Sequence, residues 1–375
     1  MMKRISYSLL LFFFSLTAIL IGQENVLTTT NIFDLKFVAE ASMSPDKKFI
    51  AYSVNSTRPF SEGAGLDKRT LFLYNVEEGV SRELDTDGKT VVSLGWTSDS
   101  KVITFRANMG DGKGMQVHAL PIDGSDKYPL TDHSGAVSSY QLTSDGKNIV
   151  FVSSSPQDPV KKELLSRGFD AQFHDEEYRD LNLFIYNLDS KETKQLTENV
   201  SVFDFVVSPD GKYAAAAIAD KNLVDDSYMF KRIHIIDLTS GKITKLIDNP
   251  GKLGQMAWSP DGKHLAFNSG VDIFDSVNGS LFIVSVPNNK AFTDLRNYSK
   301  DFRGSVTAVD WKDKNTVLFA AEEGVDIVLS EQKIDADERT ILIKPEEVVF
   351  RNFSHVNGTI ILSGNTKDHP SELFT

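Results

Sequence analysis

A short turn motif recurs along this chain, and its spacing limits the fold more than any other feature. Well-formed copies read Ser/Thr-Pro/Ser-Asp-x-Lys and two degenerate copies follow, so that the third positions are Asp46, Asp99, Asp145, Asp210, Asp261, Asp313 and Asn357. Successive intervals are 53, 46, 65, 51, 52 and 44 residues. Most intervals are at or just above the roughly 40–50 residues of a propeller blade, and the long one indicates an insertion.

Apolar runs flank each turn, as four strands of one blade require. A run such as 148–151 follows the turn, a second such as 183–186 comes after a gap, and a polar stretch such as 194–197 ends the unit. Proline and aspartate suit the central positions of a type I turn, and glycine accepts the left-handed conformation after it. The sequence therefore predicts an all-β protein, a seven-bladed β-propeller of four-stranded blades over residues 23–375.

The last unit contains too few strands for a complete blade. Its expected strands are 348–353, 359–363 and a third that begins at Glu372, after which the sequence ends at Thr375. Because an exposed strand edge is usually covered in natural proteins, we expect either a fragment of a longer protein or another segment that completes this blade.

All three tryptophans occupy one position of the repeat. Trp96 and Trp258 lie three residues before the turn aspartate, and Trp311 lies two before Asp313. We expect them to pack between adjacent blades, with a ligand platform as the less favoured alternative.

The N-terminus has the pattern of a secretory signal peptide, assigned here to residues 1–22. Lys3 and Arg4 precede an apolar run of 13 residues from Leu9 to Ile21, which is shorter than the roughly 20 residues that span a bilayer. An exported, periplasmic or extracellular protein without stable membrane insertion is expected. An uncleaved anchor remains the alternative, because Leu20 fits a cleavage site poorly.

Composition excludes several classes of function. The formal net charge is −12 without a basic cluster, so nucleic-acid binding is not expected. The chain has no cysteine, which rules out disulfides, thiolate catalysis and cysteine-ligated metals. It contains no G-x-S-x-G, H-E-x-x-H or complete calcium-loop motif, so no catalytic residue, metal ligand or cofactor is predicted.

The long interval holds a predicted helical insertion at about 156–180. Asp158 and Pro159 read as a helix start and Gly168 as its end. Candidates for substrate binding follow in the same loop, namely Glu176, Glu177 and Arg179. A catalytic acid/base role for the two glutamates is disfavoured, because adjacent residues on a strand point apart. The alternative to a binding role is that this segment is a solvated charged loop.

The order of these features resembles the N-terminal propeller of the prolyl oligopeptidase family of serine peptidases, in its acylaminoacyl-peptidase and dipeptidyl-peptidase branch. The segments that carry the likeness are 32–35, the Ser-Pro-Asp-Gly-Lys turns, 168–170 with 175–177, and 368–373. The resemblance implies a propeller that caps an α/β-hydrolase domain and admits oligopeptides. It also implies that a propeller glutamate pair, here Glu176 and Glu177, binds the substrate's free amino terminus.

These expectations leave two functions open. The first is the substrate-gating propeller portion of an exported serine peptidase, inactive by itself because the α/β-hydrolase domain that would hold the peptide substrate is missing. The second is a stand-alone TolB-like periplasmic propeller that binds protein partners. The sequence does not indicate an oligomeric state.

Overall fold

The computed structural model describes residues 28, 30–59, 61–63, 67–110, 112–171, 173, 175–274, 276–300, 303–344 and 348–375. The predicted signal peptide, residues 1–22, lies outside this part of the chain. Among the described residues, no helix is long and apolar enough to cross a membrane.

Within the described residues, twenty-six strands form seven separate antiparallel sheets, one for each repeat. Blades 1 to 3 comprise β1 (Lys36–Met43), β2 (Phe49–Ser56), β3 (Lys68–Asn75), β4 (Val80–Leu84), β5 (Val92–Trp96), β6 (Val102–Ala107), β7 (Gln116–Pro121), β8 (Tyr128–Pro129), β9 (Val137–Leu142), β10 (Asn148–Ser154), β11 (Leu181–Asn187) and β12 (Thr193–Gln195). Blades 4 and 5 comprise β13 (Ser201–Val207), β14 (Tyr213–Ala219), β15 (Arg232–Asp237), β16 (Ile243–Ile247), β17 (Leu253–Trp258), β18 (His264–Ser269) and β19 (Ser280–Ser285). Blades 6 and 7 comprise β20 (Ser305–Asp313), β21 (Thr316–Glu323), β22 (Asp326–Lys333), β23 (Thr340–Ile343), β24 (Val349–Val356), β25 (Thr359–Asn365) and β26 (Glu372–Phe374).

The predicted seven-bladed propeller is confirmed. Five sheets have four strands, whereas those of blades 5 and 7 have three. In blade 5 a single bridge between Phe282 and Asn297 marks the place of a fourth strand. Blade 7 contains β24, β25 and the short β26, so the expectation of an incomplete last blade is also confirmed.

Helical segments are few. The α-helix α1 (Pro159–Ser166) lies in the insertion of blade 3. Short 3-10 helices span Asn31–Asp34 and Phe292–Asp294, and a five-residue π-helix spans Asp226–Phe230. The first of these, Asn31–Asp34, ends two residues before β1 begins.

The repeated turns have one internal bonding scheme. In blade 4 the Ser208 hydroxyl donates to Asp210 Oδ1 at 2.6 Å and accepts the Tyr213 amide at 3.0 Å. Gly211 follows at φ +69°, in the left-handed region that glycine adopts without strain. Lys47 takes the corresponding position in blade 1 at φ +64°, where a side chain is disfavoured.

Every first strand contains a register shift. The shift occurs in each of the seven pairings between the first and second strands. A β-bulge increases local twist and redirects side chains. The bulges allow polar side chains of one first strand to reach the neighbouring blade, as Glu40 does when it accepts the amides of Ser93 (2.9 Å) and Leu94 (2.6 Å) in blade 2.

The tryptophans lie between blades, as predicted. Each indole N–H donates to a carbonyl oxygen of the preceding first strand, and the pairs are Trp96 to Ser42 at 3.0 Å, Trp258 to Val206 at 2.9 Å and Trp311 to Ala257 at 2.9 Å. The core is correspondingly divided into clusters shared by neighbouring blades, such as the one that joins Ala266 of blade 5 to Trp311 of blade 6.

Candidate functional site

The strand order gives the propeller two distinct faces. The repeated turns join first to second strands and lie on one face, here called the turn face. The connections between second and third strands lie on the opposite face, here called the loop face, because the strands are antiparallel. The insertion at 156–180 joins β10 to β11, so the candidate residues belong to the loop face.

Local sequence explains the helix in this insertion. The Asp158 side chain accepts the amide of Val160 at 2.8 Å, and Pro159 occupies the first helical position. Gly168, at φ +86°, follows the last turn, and the Phe169 amide bonds to the Leu164 carbonyl at 3.0 Å. The predicted helix and its two ends are confirmed.

The two candidate glutamates differ in their contacts. Glu177 forms an ion pair with Lys161 of α1, with 2.7 Å between Oε2 and Nζ. The Glu176 side chain is exposed, and its carboxylate makes no bond to any residue that the structure describes. Both lie in a turn at 175–177 rather than on a strand, so the argument that they point apart as strand neighbours is wrong for this segment.

Arg179 anchors the end of the insertion. Its guanidinium donates to the Ser155 carbonyl at 3.3 Å, and its own carbonyl accepts from Asn222 Nδ2 at 2.9 Å. Asn222 belongs to the loop of blade 4, residues 220–231. Arg179 thus holds both ends of the insertion together and joins it to the next blade, and nothing in its contacts assigns it to a substrate.

An acidic and aromatic cluster forms where these two loops meet. The Lys221 ammonium lies 5.9 Å from the centre of the Tyr178 ring. Burial raises the pKa of Asp226, and the charges of Asp220, Asp225 and Asp175 raise it further. The cluster carries an excess of carboxylates, which would favour a cationic group of a ligand.

Large apolar side chains are concentrated on the same face. Eleven of the 22 exposed ones in the described part of the chain lie on the loops of three consecutive blades, and these are Val160, Leu164, Phe169, Phe173, Tyr178, Val224, Tyr228, Phe230, Val271, Ile273 and Phe274. Phe173, Phe274 and Tyr228 are 70%, 68% and 63% exposed. Contiguous exposed apolar surface commonly marks an interaction site.

Sequence reasoning found the insertion but missed the contributions of blades 4 and 5. The loops of blades 3, 4 and 5 are separated in sequence, and only the propeller geometry brings them together. The sequence did contain a signal for these contributions. Val224, Tyr228 and Phe274 are large apolar residues in segments that otherwise read as turns. In the part of the chain that the structure describes, no three His, Asp or Glu side chains are grouped so that they could hold a metal ion.

Comparison with known proteins finds similarity in sequence to two dipeptidyl-peptidases and in fold to several solved β-propellers. No model of a known protein family matches the chain. A dipeptidyl-peptidase 5 of Porphyromonas endodontalis is 27% identical over 277 residues, covering 66% of this chain and 39% of that protein. A dipeptidyl-peptidase 5 of Porphyromonas gingivalis is 21% identical, covering 93% of this chain and 54% of that protein. The chain thus spans about two fifths to one half of the length of these relatives.

Solved structures agree on the fold. An acylaminoacyl peptidase of Pyrococcus horikoshii superposes with a TM-score of 0.67 at 12% identity, over 92% of this chain and 51% of that one. The β-propeller domain of the Trilobed protease from Pyrococcus furiosus, described as having an open velcro topology, gives 0.64 at 14% identity over 90% and 92%. The resemblance to the N-terminal β-propeller of the prolyl oligopeptidase family is thereby confirmed.

Proposed function

We propose that this chain is the substrate-gating propeller portion of an exported serine peptidase that acts on oligopeptides, and that its loop face covers an α/β-hydrolase domain. The observation that carries the proposal is the apolar surface on the loops of blades 3 to 5, in a chain whose curated relatives are dipeptidyl-peptidases. Burial of such side chains against a second domain contributes roughly 25 cal/mol per Å² of apolar surface.

The same face offers a contact for a substrate. Glu177 is held by Lys161, which fixes the turn, while the Glu176 carboxylate projects with no bond to a described residue. A carboxylate in this position would form a charge-assisted hydrogen bond with the free amino terminus of a peptide. Glu176 is therefore the proposed binding group, and Glu177 and Arg179 position the loop that carries it.

The coding DNA beyond the codon for Thr375 tests the domain assignment first. We expect an open reading frame, continuous or interrupted by one lesion, that encodes an α/β-hydrolase with a G-x-S-x-G elbow on a strand-to-helix turn. A stop codon followed by an unrelated gene would overturn the peptidase assignment and favour the stand-alone propeller that binds protein partners.

Kinetics of the longer protein test the substrate contact. Glu176→Gln should raise KM for a peptide with a free amino terminus and leave KM for its N-acetylated counterpart unchanged. Glu163→Gln, an exposed change on α1, is the matched control. Equal effects of Glu176→Gln on both peptides would exclude recognition of the amino terminus by this residue.

A further inference from the structure

The outer edge of blade 7 is open in the part of the chain that the structure describes. The sheet ends with β26, whose three residues lie beside the seven of β25, and no fourth strand pairs with it there. An open edge presents backbone amides and carbonyls with which another strand can pair, and natural proteins usually cover it. The bonds that cover the corresponding edge in other blades indicate what fits here.

Three blades cover this edge with the same two bonds. In blade 3 the Leu196 amide donates to the Leu183 carbonyl at 2.8 Å, and the Thr197 hydroxyl accepts the Leu183 amide at 2.9 Å. Blades 2 and 5 contain the same two bonds, made by Leu130 and Thr131 to Val117 and by Tyr298 and Ser299 to Leu281. The hydroxyl residue is buried in all three blades. A pair of residues ending in threonine or serine therefore closes the outer edge of the third strand.

Leu373 occupies the position of Leu183 in blade 7. The two blades share one register, with the pairs Ser363–Leu373 and Leu362–Phe374 in blade 7 and Val152–Leu183 and Phe151–Phe184 in blade 3. Leu362 and Phe151 are both buried against the preceding blade, so the two third strands present the same faces. The Leu373 amide and carbonyl therefore point to the open edge, as those of Leu183 point to β12, and no described residue bonds to them there.

The sequence before blade 1 contains a matching pair. Leu27 and Thr28 repeat the leucine–threonine pairs that end the fourth strands of blades 2 and 3. The threonines of those pairs precede the turn residue of the next blade by 14 and 13 residues, and Thr28 precedes Asp46 by 18. The 3-10 helix Asn31–Asp34, which has four residues, accounts for the longer interval. Thr28 thus has the sequence position of a fourth-strand threonine.

The start of β1 lies beside the open edge. The Val38 amide donates to the Ser371 carbonyl, just before β26, at 2.8 Å. First strands begin at the loop face, where fourth strands end, so the chain that leads into β1 comes from the correct end of blade 7. Thr28 is exposed, and its hydroxyl bonds to Thr30 Oγ1 and Asn31 Oδ1 at 2.7 Å each. Because a hydroxyl oxygen has two acceptor lone pairs, it can also accept an amide.

We propose that the segment 23–28 pairs with β26 as the fourth strand of blade 7 and so joins the N-terminus to the last blade. The Leu27 amide donates to the Leu373 carbonyl, and the Thr28 hydroxyl accepts the Leu373 amide. Residues 23–27 lie outside the described part of the chain, and at about 3.3 Å per extended residue they are long enough to pair with the three residues of β26. This inference does not depend on the hydrolase assignment, because it uses no residue of the apolar loops of blades 3 to 5.

A cysteine pair tests the register, since the natural chain contains no cysteine. The proposal places Val26 opposite Phe374, as Gln195 is opposite Phe184. In the full chain, Val26→Cys with Phe374→Cys should form an intramolecular disulfide in glutathione buffer about tenfold more readily than Val26→Cys with Leu373→Cys, because adjacent side chains on a strand point to opposite faces. Equal formation in the two variants, or no disulfide in either, overturns the proposal. A disulfide between two chains also overturns it and assigns the edge to a second copy.

Hydrogen exchange gives a second test that leaves blade 7 unaltered. Thr28→Val keeps the shape of an exposed side chain and removes the hydroxyl acceptor, so exchange at the Leu373 amide should become about tenfold faster. Thr30→Val is the matched control, because it removes only the local bond between the two hydroxyls and should leave this amide unchanged. A Leu373 amide that stays protected in Thr28→Val means that another segment covers the edge. One that is unprotected in the natural chain means that nothing does, and either result overturns the proposal.

Discussion

The junction between blades 5 and 6 and the junction between blades 7 and 1 are built differently. At the first, Trp311 is 3% exposed within an apolar cluster, and its indole N–H bonds to Ala257. The Gln255 side chain also accepts the Val309 amide at 3.3 Å. This junction combines a buried aromatic core with polar bonds between first strands.

The junction between blades 7 and 1, which closes the ring, has fewer buried apolar side chains. Among the residues that the structure describes, its apolar cluster has three buried members, Met43, Ile50 and Ile361. The polar links include Val38 N to Ser371 O at 2.8 Å and Asn357 Nδ2 to Pro45 O at 3.1 Å. A cleft of about 760 Å³ runs along this junction.

The contrast indicates an uneven distribution of stability around the ring. No strand of blade 1 pairs into the sheet of blade 7 among the described residues, so closure depends on side-chain packing and a few hydrogen bonds. Regions with fewer buried apolar contacts open at lower free energy than the rest of a fold. We therefore expect the closing junction to open locally before the other blades separate.

The largest expected effect is at the well-packed junction. Trp311→Ala removes a buried indole between blades 5 and 6 and should lower the free energy of unfolding by about 3–5 kcal/mol. Urea denaturation measures the loss, and Trp311→Phe, which retains most of the apolar volume, should lose less. If Trp311→Ala lowers the free energy of unfolding by less than about 1 kcal/mol, the tryptophan is not a main source of stability at this junction.

A polar link between first strands should rank second. Glu40→Ala removes the acceptor of two backbone amides, those of Ser93 and Leu94, between blades 1 and 2. Unsatisfied donors in a half-buried position should cost about 2 kcal/mol. Glu40→Gln keeps one acceptor oxygen and should lose less in the same urea experiment, whereas equal losses would assign the effect to the charge.

Asp204 lies at the same repeat position as Glu40 and Gln255 but has a shorter side chain. Its carboxylate accepts the amide of its own neighbour, Phe205, at 2.9 Å and no amide of the next blade among the described residues. Burial raises the pKa of Asp204, partly offset by its bond to Phe205 and by the charge of Lys231. The folded state therefore binds the proton more tightly than the unfolded state does.

This difference predicts how stability depends on pH. A raised pKa in the folded state means that stability falls as pH rises from the unfolded pKa near 3.8 through the higher folded value. Asp204→Asn cannot ionise, so its stability relative to the natural chain should increase as pH rises over that window. Urea midpoints at pH 4 and pH 7 check this, and a relative stability that falls with pH would contradict it.

Local features of this fold were predictable from sequence, and so was the position of the tryptophans between blades, whereas the polar contacts between blades were not. The turn at Asp210 and the helix start at Asp158 follow from hydrogen bonds within a few residues, which the sequence displays directly. The bonds from Glu40 to the amides of Ser93 and Leu94 depend on the bulge in β1 and on the distance to the next blade. The apolar loop surface likewise requires the ring geometry that brings Phe173 and Phe274 onto one face.

The smallest expected effect is at the closing junction, where Asn357 bonds to Pro45 and adopts φ +46°. Asn357→Gly removes the bond but tolerates this φ, so it should cost about 0.5 kcal/mol. Asn357→Ala removes the same bond and adds about 1 kcal/mol of backbone strain. Hydrogen exchange should show faster opening of β1 and β25 in both variants, with blades 5 and 6 unchanged. Faster exchange throughout the ring would instead mean that closure is cooperative with the whole fold, and the contrast between the two junctions would then be one of packing alone.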